Sequence, residues 1–298
     1  MLEEIDLPQW VSQAPADKRN FREAVHIILT AIGTSTALRS KMIMKGGLLM
    51  AIRYDSGRFT KDVDFSTREK YAAGMEQELI DELDQQLEVA NDALSYDTMC
   101  RRQRAEIRPA RPDAQFPTLA LNIGYAPRSK RNELDRLLNR QAPTIVEIDY
   151  SYNEAVYDVE ILELGDGDQL RVYSFLNLMA EKLRSLLQQP IRRRNRRQDV
   201  YDLHLLVTQS KPLSDQERAS LLILLQASCR AREIEPGIDS LADPKVREMA
   251  KQGYEELSPE IEGALPPFDV AYATVQAFYA ALPWNAMQES VPPSQAPR

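Results

Sequence analysis

The sequence predicts an α+β protein in which strand-like segments come first and helices follow. Short segments in the first part of the chain alternate polar and apolar side chains, as half-buried strands do; KDVDFS at 61–66 is one of them. From Phe175 onward, apolar residues recur with helical spacing and strand-like patterns disappear. We therefore predict two domains, residues 1–170 and 171–290, followed by a disordered tail at 291–298.

The first domain contains a recognisable order of elements. An apolar stripe predicts a helix over 17–40, and MIMK at 42–45 predicts a buried strand that ends at a glycine pair. The segment LLMAIRY after that pair predicts a second helix, and the periodicity of 75–93 predicts an acidic amphipathic helix. Further strands are predicted at 61–66, 118–125 and 144–152, before a hairpin-like or irregular segment that ends near 174.

The composition disfavours several classes of chemistry. A net charge of −8 over 298 residues argues against broad coating of nucleic acid, although a local basic site is compatible with it. Two isolated cysteines and two histidines disfavour a structural zinc site or a Ser/His or Cys/His nucleophile. The acidic start MLEEIDLPQW does not have the pattern of a signal peptide, and the apolar runs are too short to span a membrane. We expect a cytoplasmic protein with no membrane partner.

Two aspartates in the predicted strand at 61–66 form an electrostatic puzzle. Asp62 and Asp64 would share one face because strand side chains alternate, whereas Val63 and Phe65 would face the core. Two carboxylates so close repel each other unless a cation lies between them, and Mg²⁺ takes oxygen ligands of this kind. A D-x-D pair alone is more often ordinary surface alternation, so the neighbouring elements must decide between the two interpretations.

The glycine pair favours the metal site. Gly46 and Gly47 allow the backbone to approach a ligand closely, and the helix predicted after them would offer N–H groups to an anion. A strand, a glycine turn, a helix, an arginine-containing loop and a D-x-D strand follow one another within a short stretch. Carboxylates opposite a glycine-rich helix start are typical of a site for a nucleoside triphosphate.

This stretch resembles the signature of a known family. The segment KGGLLMAIRY…RFTKDVDFS is similar to the nucleotidyltransferase-fold proteins of the AbiEii/AbiGii type, which are toxin components of type IV toxin–antitoxin and abortive-infection systems. A second segment, residues 180–206, resembles the E-K helix, arginine-rich connection and D-x-x-D-L helix of the same family. The resemblance spans residues 20–206 approximately, and we match no motif in the helices beyond.

The resemblance implies a fold and part of a site. The implied fold has an N-terminal nucleotidyltransferase domain, with a mixed sheet flanked by helices, and an α-helical C-terminal domain that contributes to the active-site cleft. Asp62 and Asp64 are implied metal ligands. The implied nucleotide contacts are Lys45, Gly46, Gly47, Arg58 and Ser66. Many nucleotidyltransferases have a serine at the position of Gly47, so only backbone N–H groups would contact phosphate here.

The implied fold needs a third carboxylate on a strand adjacent to the aspartate pair. The segment TIVEIDYSY at 144–152 offers Glu147 and Asp149 on one strand face. We prefer Asp149 as the third metal ligand, since Glu147 is equally interpretable as a solvated edge residue.

The second block contributes two more candidate catalytic residues. The resemblance implies that Lys182 reaches into the cleft to neutralise triphosphate charge and that Asp202 binds or orients a catalytic group. The alternatives are that Lys182 is a surface lysine paired with Glu181 or a neighbour, and that Asp199, on the same helix face as Asp202, is a cap or an ion-pair partner.

Arginines are concentrated in two segments. RRRNRR at 192–197 predicts an RNA or triphosphate contact, because the guanidinium group suits bidentate recognition of phosphate. RRQRAEIRPAR at 101–111 supports the same interpretation more weakly. A charge run is usually a solvated face, but such concentration is unexpected in an acidic chain. The predicted RNA-binding residues are Arg192, Arg193, Arg194, Arg196 and Arg197.

The leading functional hypothesis is a nucleotidyltransferase toxin that depends on Mg²⁺ or Mn²⁺. It would transfer a nucleoside monophosphate from a nucleoside triphosphate to RNA, with a tRNA 3′ end favoured by the resemblance, and so block translation. The resemblance also implies a cognate antitoxin encoded by a neighbouring gene. Two alternatives remain open: transfer to a small molecule or a protein side chain, and a catalytically silent nucleotide-binding module.

Overall fold

A computed structural model describes residues 3–111, 114–165 and 167–285. The chain divides into two compact units, Met1–Ser174 and Phe175–Arg298. The predicted mixed α+β class is confirmed. The functional assignment of the two predicted domains and their order stays a prediction, and the predicted tail at 291–298 lies outside the described residues.

The first unit contains one mixed sheet and six helices within its described residues. The elements in chain order are β1 (Glu3–Ile5), α1 (Leu7–Ser12), α2 (Arg19–Thr34), α3 (Thr36–Lys41), β2 (Ile43–Lys45), α4 (Gly46–Arg53), β3 (Asp62–Ser66), α5 (Glu76–Ala93), β4 (Thr98–Arg108), β5 (Thr118–Pro127), α6 (Arg131–Leu138), β6 (Ile145–Ser151), β7 (Val159–Leu164) and β8 (Gln169–Tyr173). The eight strands lie in the order β1-β7-β8-β2-β3-β6-β5-β4. Strand β3 is therefore central, antiparallel to β2 and parallel to β6.

One face of this sheet forms the core of the first unit. Val63, Phe65, Ile148 and Tyr150 point to that face and are fully buried. Helix α2 packs against β4, β5, β6 and β8, and α5 packs against α2 and β4. Because strand side chains alternate, the intervening polar residues of β3 and β6 must lie on the opposite face.

The structure corrects two details of the predicted first unit and decides between the two predicted forms of a third. The helix predicted over 17–40 is two helices, because Ser35 adopts an extended conformation and its hydroxyl accepts a hydrogen bond from the Leu38 N–H at 3.2 Å. Strands β1 and β4 were not predicted, since an arginine-rich edge strand does not show a simple apolar alternation. The segment before residue 174 is a regular antiparallel hairpin of β7 and β8.

The second unit is built from helices that bury a leucine-rich core. They are α7 (Phe175–Arg192), α8 (Arg197–Gln209), α9 (Asp215–Arg230), α10 (Pro244–Lys251) and α11 (Phe268–Ala280), with short 3₁₀ segments at Ser240–Ala242 and Tyr254–Glu260. Helix α7 packs against α8, α9 and α10, and Leu183, Leu186 and Leu203 are fully buried. In the part of the chain that the structure describes, no helix is both long and apolar enough to cross a membrane.

Candidate active site

The turn between β2 and α4 requires glycine for two reasons. Gly46 has φ = +77°, a conformation that residues with a side chain rarely adopt. In addition, a Cβ atom on Gly46 would lie 2.0 Å from Oδ2 of Asp64 and 2.8 Å from its Cγ. The Asp64 carboxylate therefore lies directly against the backbone at the start of α4. Backbone N–H groups in the first turn of a helix have no partner within the helix and can bind an anion.

The guanidinium of Arg58 occupies the space that a side chain at position 47 would fill. A Cβ on Gly47 would lie 2.8 Å from Nη2 of Arg58 and 3.2 Å from Cβ of Thr60. Arg58 itself is buried, so its guanidinium is held close to the helix start. A serine at position 47 would therefore displace the guanidinium of Arg58 from its present position beside the helix start.

The strand register brings the predicted carboxylates together on one face. Asp62 lies opposite Glu147 and Asp64 lies opposite Asp149 across the parallel pair of β3 and β6. Residues directly opposite each other in a sheet point to the same side, so all four carboxylates share the face away from the core. Asp64 is half-buried, whereas the other three are exposed.

These residues were predicted to hold a metal ion. Among the described residues, no group of three or more His, Cys, Asp or Glu side chains is arranged so as to hold a metal ion. The donors on this face are nevertheless carboxylate oxygens, which Mg²⁺ and Mn²⁺ prefer, and Mg²⁺ usually takes one or two carboxylates together with water and substrate phosphates. Asp64 and its neighbour Asp149 therefore fit the metal chemically, and their role as ligands stays a prediction.

Lys45 lies at the edge of the carboxylate group. It is opposite Asp64 in the antiparallel pair of β2 and β3, and only 8% of its surface is exposed. Its Nζ is 3.9 Å from Oε1 of Glu154 and 5.8 Å from the centre of the Tyr173 ring. The Tyr173 hydroxyl donates a hydrogen bond to Oγ of Ser66 at 3.1 Å.

These contacts give the predicted nucleotide-binding residues a structural role as well. Ser66 is fully buried under Tyr173, and Lys45 already has a carboxylate neighbour in Glu154. Nucleotide binding by Lys45 and Ser66 stays a prediction. Sequence reasoning missed Glu154 and Tyr173 because neither belongs to a motif, and only the folded sheet brings them to Lys45.

Four of the residues singled out in the second block form an ionic cluster within the second unit. Nζ of Lys182 is 2.6 Å from Oδ2 of Asp202 and 3.3 Å from Oδ1 of Asp199. Nε of Arg196 donates to the other oxygen of Asp199 at 2.7 Å. The side chains of Lys182, Asp199 and Asp202 are 7%, 2% and 0% exposed, whereas that of Arg196 is 28% exposed. Two cations therefore balance two anions, and three of the four side chains are buried.

The cluster decides between some of the alternatives. Lys182 is buried and is therefore not a surface lysine, and Glu181 pairs with Arg184 at 3.6 Å. Asp199 is an ion-pair partner, which was one of its two open interpretations. A catalytic role for Lys182 and Asp202 stays a prediction; the pair also stabilises the contact between α7 and α8.

The arginines of 192–197 fall into two groups. Arg192, Arg193 and Arg194 are exposed. Arg196 is bonded to Asp199, and Arg197 donates to the carboxylate of Glu256. Two of the five predicted RNA-binding residues therefore have structural partners within the second unit, and RNA binding by the segment stays a prediction.

The comparisons with known proteins place the chain in a class of nucleotidyltransferase-type proteins. The chain belongs to the AbiEii family, described as the nucleotidyl transferase AbiEii toxin of a type IV toxin–antitoxin system, whose model matches residues 27–280. The match extends well beyond residue 206, so the later helices belong to the family fold too. Membership implies a cognate antitoxin as a partner.

Solved structures with the same fold come from Helicobacter pylori. JHP933 is 14% identical, with a TM-score of 0.55, and the similarity covers 93% of this chain and 97% of that protein. A "putative nucleotidyltransferase" is 13% identical, with a TM-score of 0.53, and the similarity covers 93% of this chain and 98% of that protein. A comparison with proteins of curated function gave no match.

Proposed function

We propose that this chain is a metal-dependent nucleotidyltransferase toxin that transfers a nucleoside monophosphate to RNA. The observation that carries the proposal is the placement of Asp64: it touches the glycine turn at Gly46 and lies in register with Asp149. A triphosphate bound at the turn would have these two carboxylates beside it. The family description supports the reaction class and the toxin role.

The residues have distinct roles in the proposed reaction. The turn at Gly46 and Gly47 and the guanidinium of Arg58 bind and orient the triphosphate, since fixed donors stabilise phosphate charge without reorganisation. Asp62, Asp64 and Asp149 would hold Mg²⁺ or Mn²⁺, and the bound ion supplies Lewis-acid stabilisation of phosphoryl oxygens.

The chemical step needs no covalent protein intermediate. The 3′-hydroxyl oxygen of the acceptor attacks the α-phosphorus and forms a new P–O bond, and the P–O bond to the bridging oxygen breaks to release pyrophosphate. The carboxylate of Asp149, exposed on the sheet face, accepts the proton of the attacking hydroxyl. We propose a tRNA 3′ end as the acceptor, because modification there would block translation.

Incorporation of labelled nucleotide tests the proposal. The protein is incubated with each of the four labelled nucleoside triphosphates, Mg²⁺ or Mn²⁺ and total RNA, and the products are separated by size. We expect label in the tRNA fraction, and no label with Asp64→Asn of unchanged thermal stability. Label in protein or in small molecules instead of RNA would contradict the proposal that RNA is the acceptor. An absence of label with all four nucleotides would contradict the proposed nucleotidyltransferase activity.

A biological assay separates catalysis from silent binding. If the chain acts only by binding nucleotide or a partner, a stable Asp64→Asn protein should still inhibit growth when it is expressed. We expect that growth inhibition is lost in Asp64→Asn and retained in Asp55→Asn, an exposed aspartate outside the strands of the sheet.

A further inference from the structure

A β-bulge in the edge strand β4 places its arginines on two different faces of the sheet. Arg102 lies opposite Ile123, and Arg104 lies opposite Asn122, so Gln103 is an extra residue. Strict alternation would put Arg102 and Arg104 on one face; the bulge puts them on opposite faces. Arg102 turns toward the helices and makes a bidentate pair with Asp84, with distances of 2.8 and 2.6 Å.

Two hydrogen bonds of the Gln103 side chain, one to α6 and one to the segment between α6 and β6, hold the bulge in place. Oε1 of Gln103 accepts a hydrogen bond from the Ala142 N–H at 3.0 Å, and its Nε2 donates to the Leu137 carbonyl at 3.2 Å. A Cβ on Gly124, opposite the bulge, would lie 2.7 Å from Cδ of Gln103. The Gln103 side chain thus packs against Gly124, where a larger residue would clash with it, and its hydrogen bonds stabilise the bulge.

As a result, three arginines share the face that carries the candidate active site. Arg101, Arg104 and Arg108 point to the side away from the core, since each lies opposite Gly124, Asn122 or Thr118 on β5. Arg104 and Arg108 have side chains that are 65% and 56% exposed, and both bond the single carboxylate of Glu106. This face of β4 therefore has a surplus of two positive charges.

Small side chains separate the arginines from the carboxylates. Glu106 of β4 lies opposite Ala120, and Ala120 lies opposite Asp149 of β6. Arg104 occupies the next row, opposite Asn122. Because neighbouring strands are about 4.8 Å apart, β4 lies roughly 10 Å from β6 along this face, and Ala120 of β5, which is 5% exposed, lies between them.

Protection of a sheet edge is the ordinary explanation for charged residues on such a strand. That explanation accounts for the charge, but it does not require the arginines to share a face with the carboxylates. A polyanionic chain that ends at Asp149 accounts for both, because its preceding phosphates would pass over β5 and meet the exposed guanidinium groups of β4.

We propose that the exposed arginines of β4, Arg101, Arg104 and Arg108, bind the phosphodiester backbone of the acceptor RNA strand. The 3′ end of the strand lies at Asp149, and the preceding phosphates lie across β5 on β4. This assignment rests on the proposed function, and it places acceptor binding on the first unit, independent of the segment 192–197.

Charge removal on β4 tests the assignment. The variant Arg104→Gln/Arg108→Gln is compared with Arg218→Gln/Arg230→Gln, which removes the same charge from α9. The probe is a short fluorescein-labelled single-stranded RNA with a free 3′-hydroxyl. We expect affinity to fall on the order of tenfold for the β4 variant, and the salt dependence, log Kd against log salt, to become shallower by about 1.4, since each phosphate contact on a single strand contributes about 0.7.

Two further measurements distinguish the possible failures. Arg104→Lys/Arg108→Lys should retain most of the salt dependence, and nucleotide binding should be unchanged in all variants. An unchanged KM for RNA in an active Arg104→Gln/Arg108→Gln enzyme would contradict RNA binding by β4 and leave the proposed function intact. If the unaltered protein transfers no nucleotide, the proposed function fails, yet RNA affinity and its salt dependence still test β4.

Crosslinking of the unaltered protein avoids any effect of substitution on folding. RNA carrying 4-thiouridine near its 3′ end is bound, irradiated and digested, and the crosslinked peptides are identified. We expect crosslinks within 98–108. Crosslinks confined to 192–197, or their absence from β4 under saturating RNA, would overturn the proposal.

Discussion

The carboxylate of Asp64 lies against the α-carbon of Gly46, so closely that a Cβ there would be 2.0 Å from Oδ2. The contact joins the two features of the candidate site, the carboxylate face of the sheet and the glycine turn at the start of α4. It means that the backbone turn sets the position of the aspartate, and that neither can change without the other.

Substitution of Gly46 by alanine should therefore lower the reaction rate far more than its loss of folding stability would explain. Gly74 is a matched control, because it also has a positive φ, +92°, but nothing lies within 4 Å of a Cβ there. Both variants should lose about 1 kcal/mol from the unfavourable backbone conformation. Only Gly46→Ala displaces Asp64, and a displacement of about 1 Å can reduce the rate roughly a hundredfold. Urea unfolding and nucleotide incorporation measure the two effects; equal activity in both variants would contradict the prediction.

The identity of the third carboxylate is resolved by a pair of isosteric substitutions. Asp149 lies opposite Asp64, whereas Glu147 lies opposite Asp62, one row closer to the strand start. We expect Asp149→Asn to lower kcat by about a hundredfold or more and Glu147→Gln to lower it only slightly. Both side chains are exposed, so unfolding free energies should change by no more than about 0.5 kcal/mol. The reverse order of rate effects would assign Glu147 instead.

The buried cluster of the second unit should show strong coupling in a double-mutant cycle. Asp202→Leu leaves Lys182 with an incomplete set of partners, and Lys182→Met leaves Asp202 charged in the interior. Each single substitution should lower the free energy of unfolding by about 3–5 kcal/mol, because it breaks a buried ion pair. The double variant should lose less than the sum of the two single losses, because it replaces both partners of the pair. Urea unfolding monitored by circular dichroism measures the cycle. Additive effects would mean that the pair does not interact as the distances indicate.

Alkaline pH should destabilise the protein because its buried tyrosines resist ionisation. Burial raises the pKa values of Tyr150, Tyr254 and Tyr272 above their ordinary value of 10.0. The folded state holds these protons more tightly, so the unfolded chain ionises first. The stabilisation is complete below the unfolded pKa and is lost as pH rises above about 10. Unfolding free energies measured at successive pH values should be flat to about pH 9 and then fall.

Tyr254→Phe provides the control for that pH dependence. The Tyr254 hydroxyl is buried and has no hydrogen-bond partner among the described residues, so its removal sacrifices no bond. Stability at pH 7 should be unchanged or slightly higher, and the loss of stability above pH 10 should be smaller by one titrating group. An unchanged alkaline slope would show that Tyr254 does not contribute.

Several features of the fold and the site could be predicted from local patterns. The positions of β2, β3, β5 and β6 followed from alternation and turn residues, because a half-buried strand requires that pattern. The common face of Asp62 and Asp64 followed from the same alternation. The bulge at Gln103 could not be predicted, since it depends on a hydrogen bond to Ala142, which is distant in the chain. The break at Ser35 has a local cause, the hydrogen bond from the Leu38 N–H to its hydroxyl, and the apolar stripe that continues through it concealed it.

The sequence by itself determined the family, the mixed α+β class and the paired aspartates beside a glycine turn, because these depend on residue types at short spacings. Only the tertiary structure decided which carboxylate faces Asp64, which arginines share its side of the sheet, and that Lys182 lies between two buried aspartates. Those facts depend on strand order, register and helix packing. They join residues far apart in the chain, and no local pattern specifies which distant partner each side chain will meet.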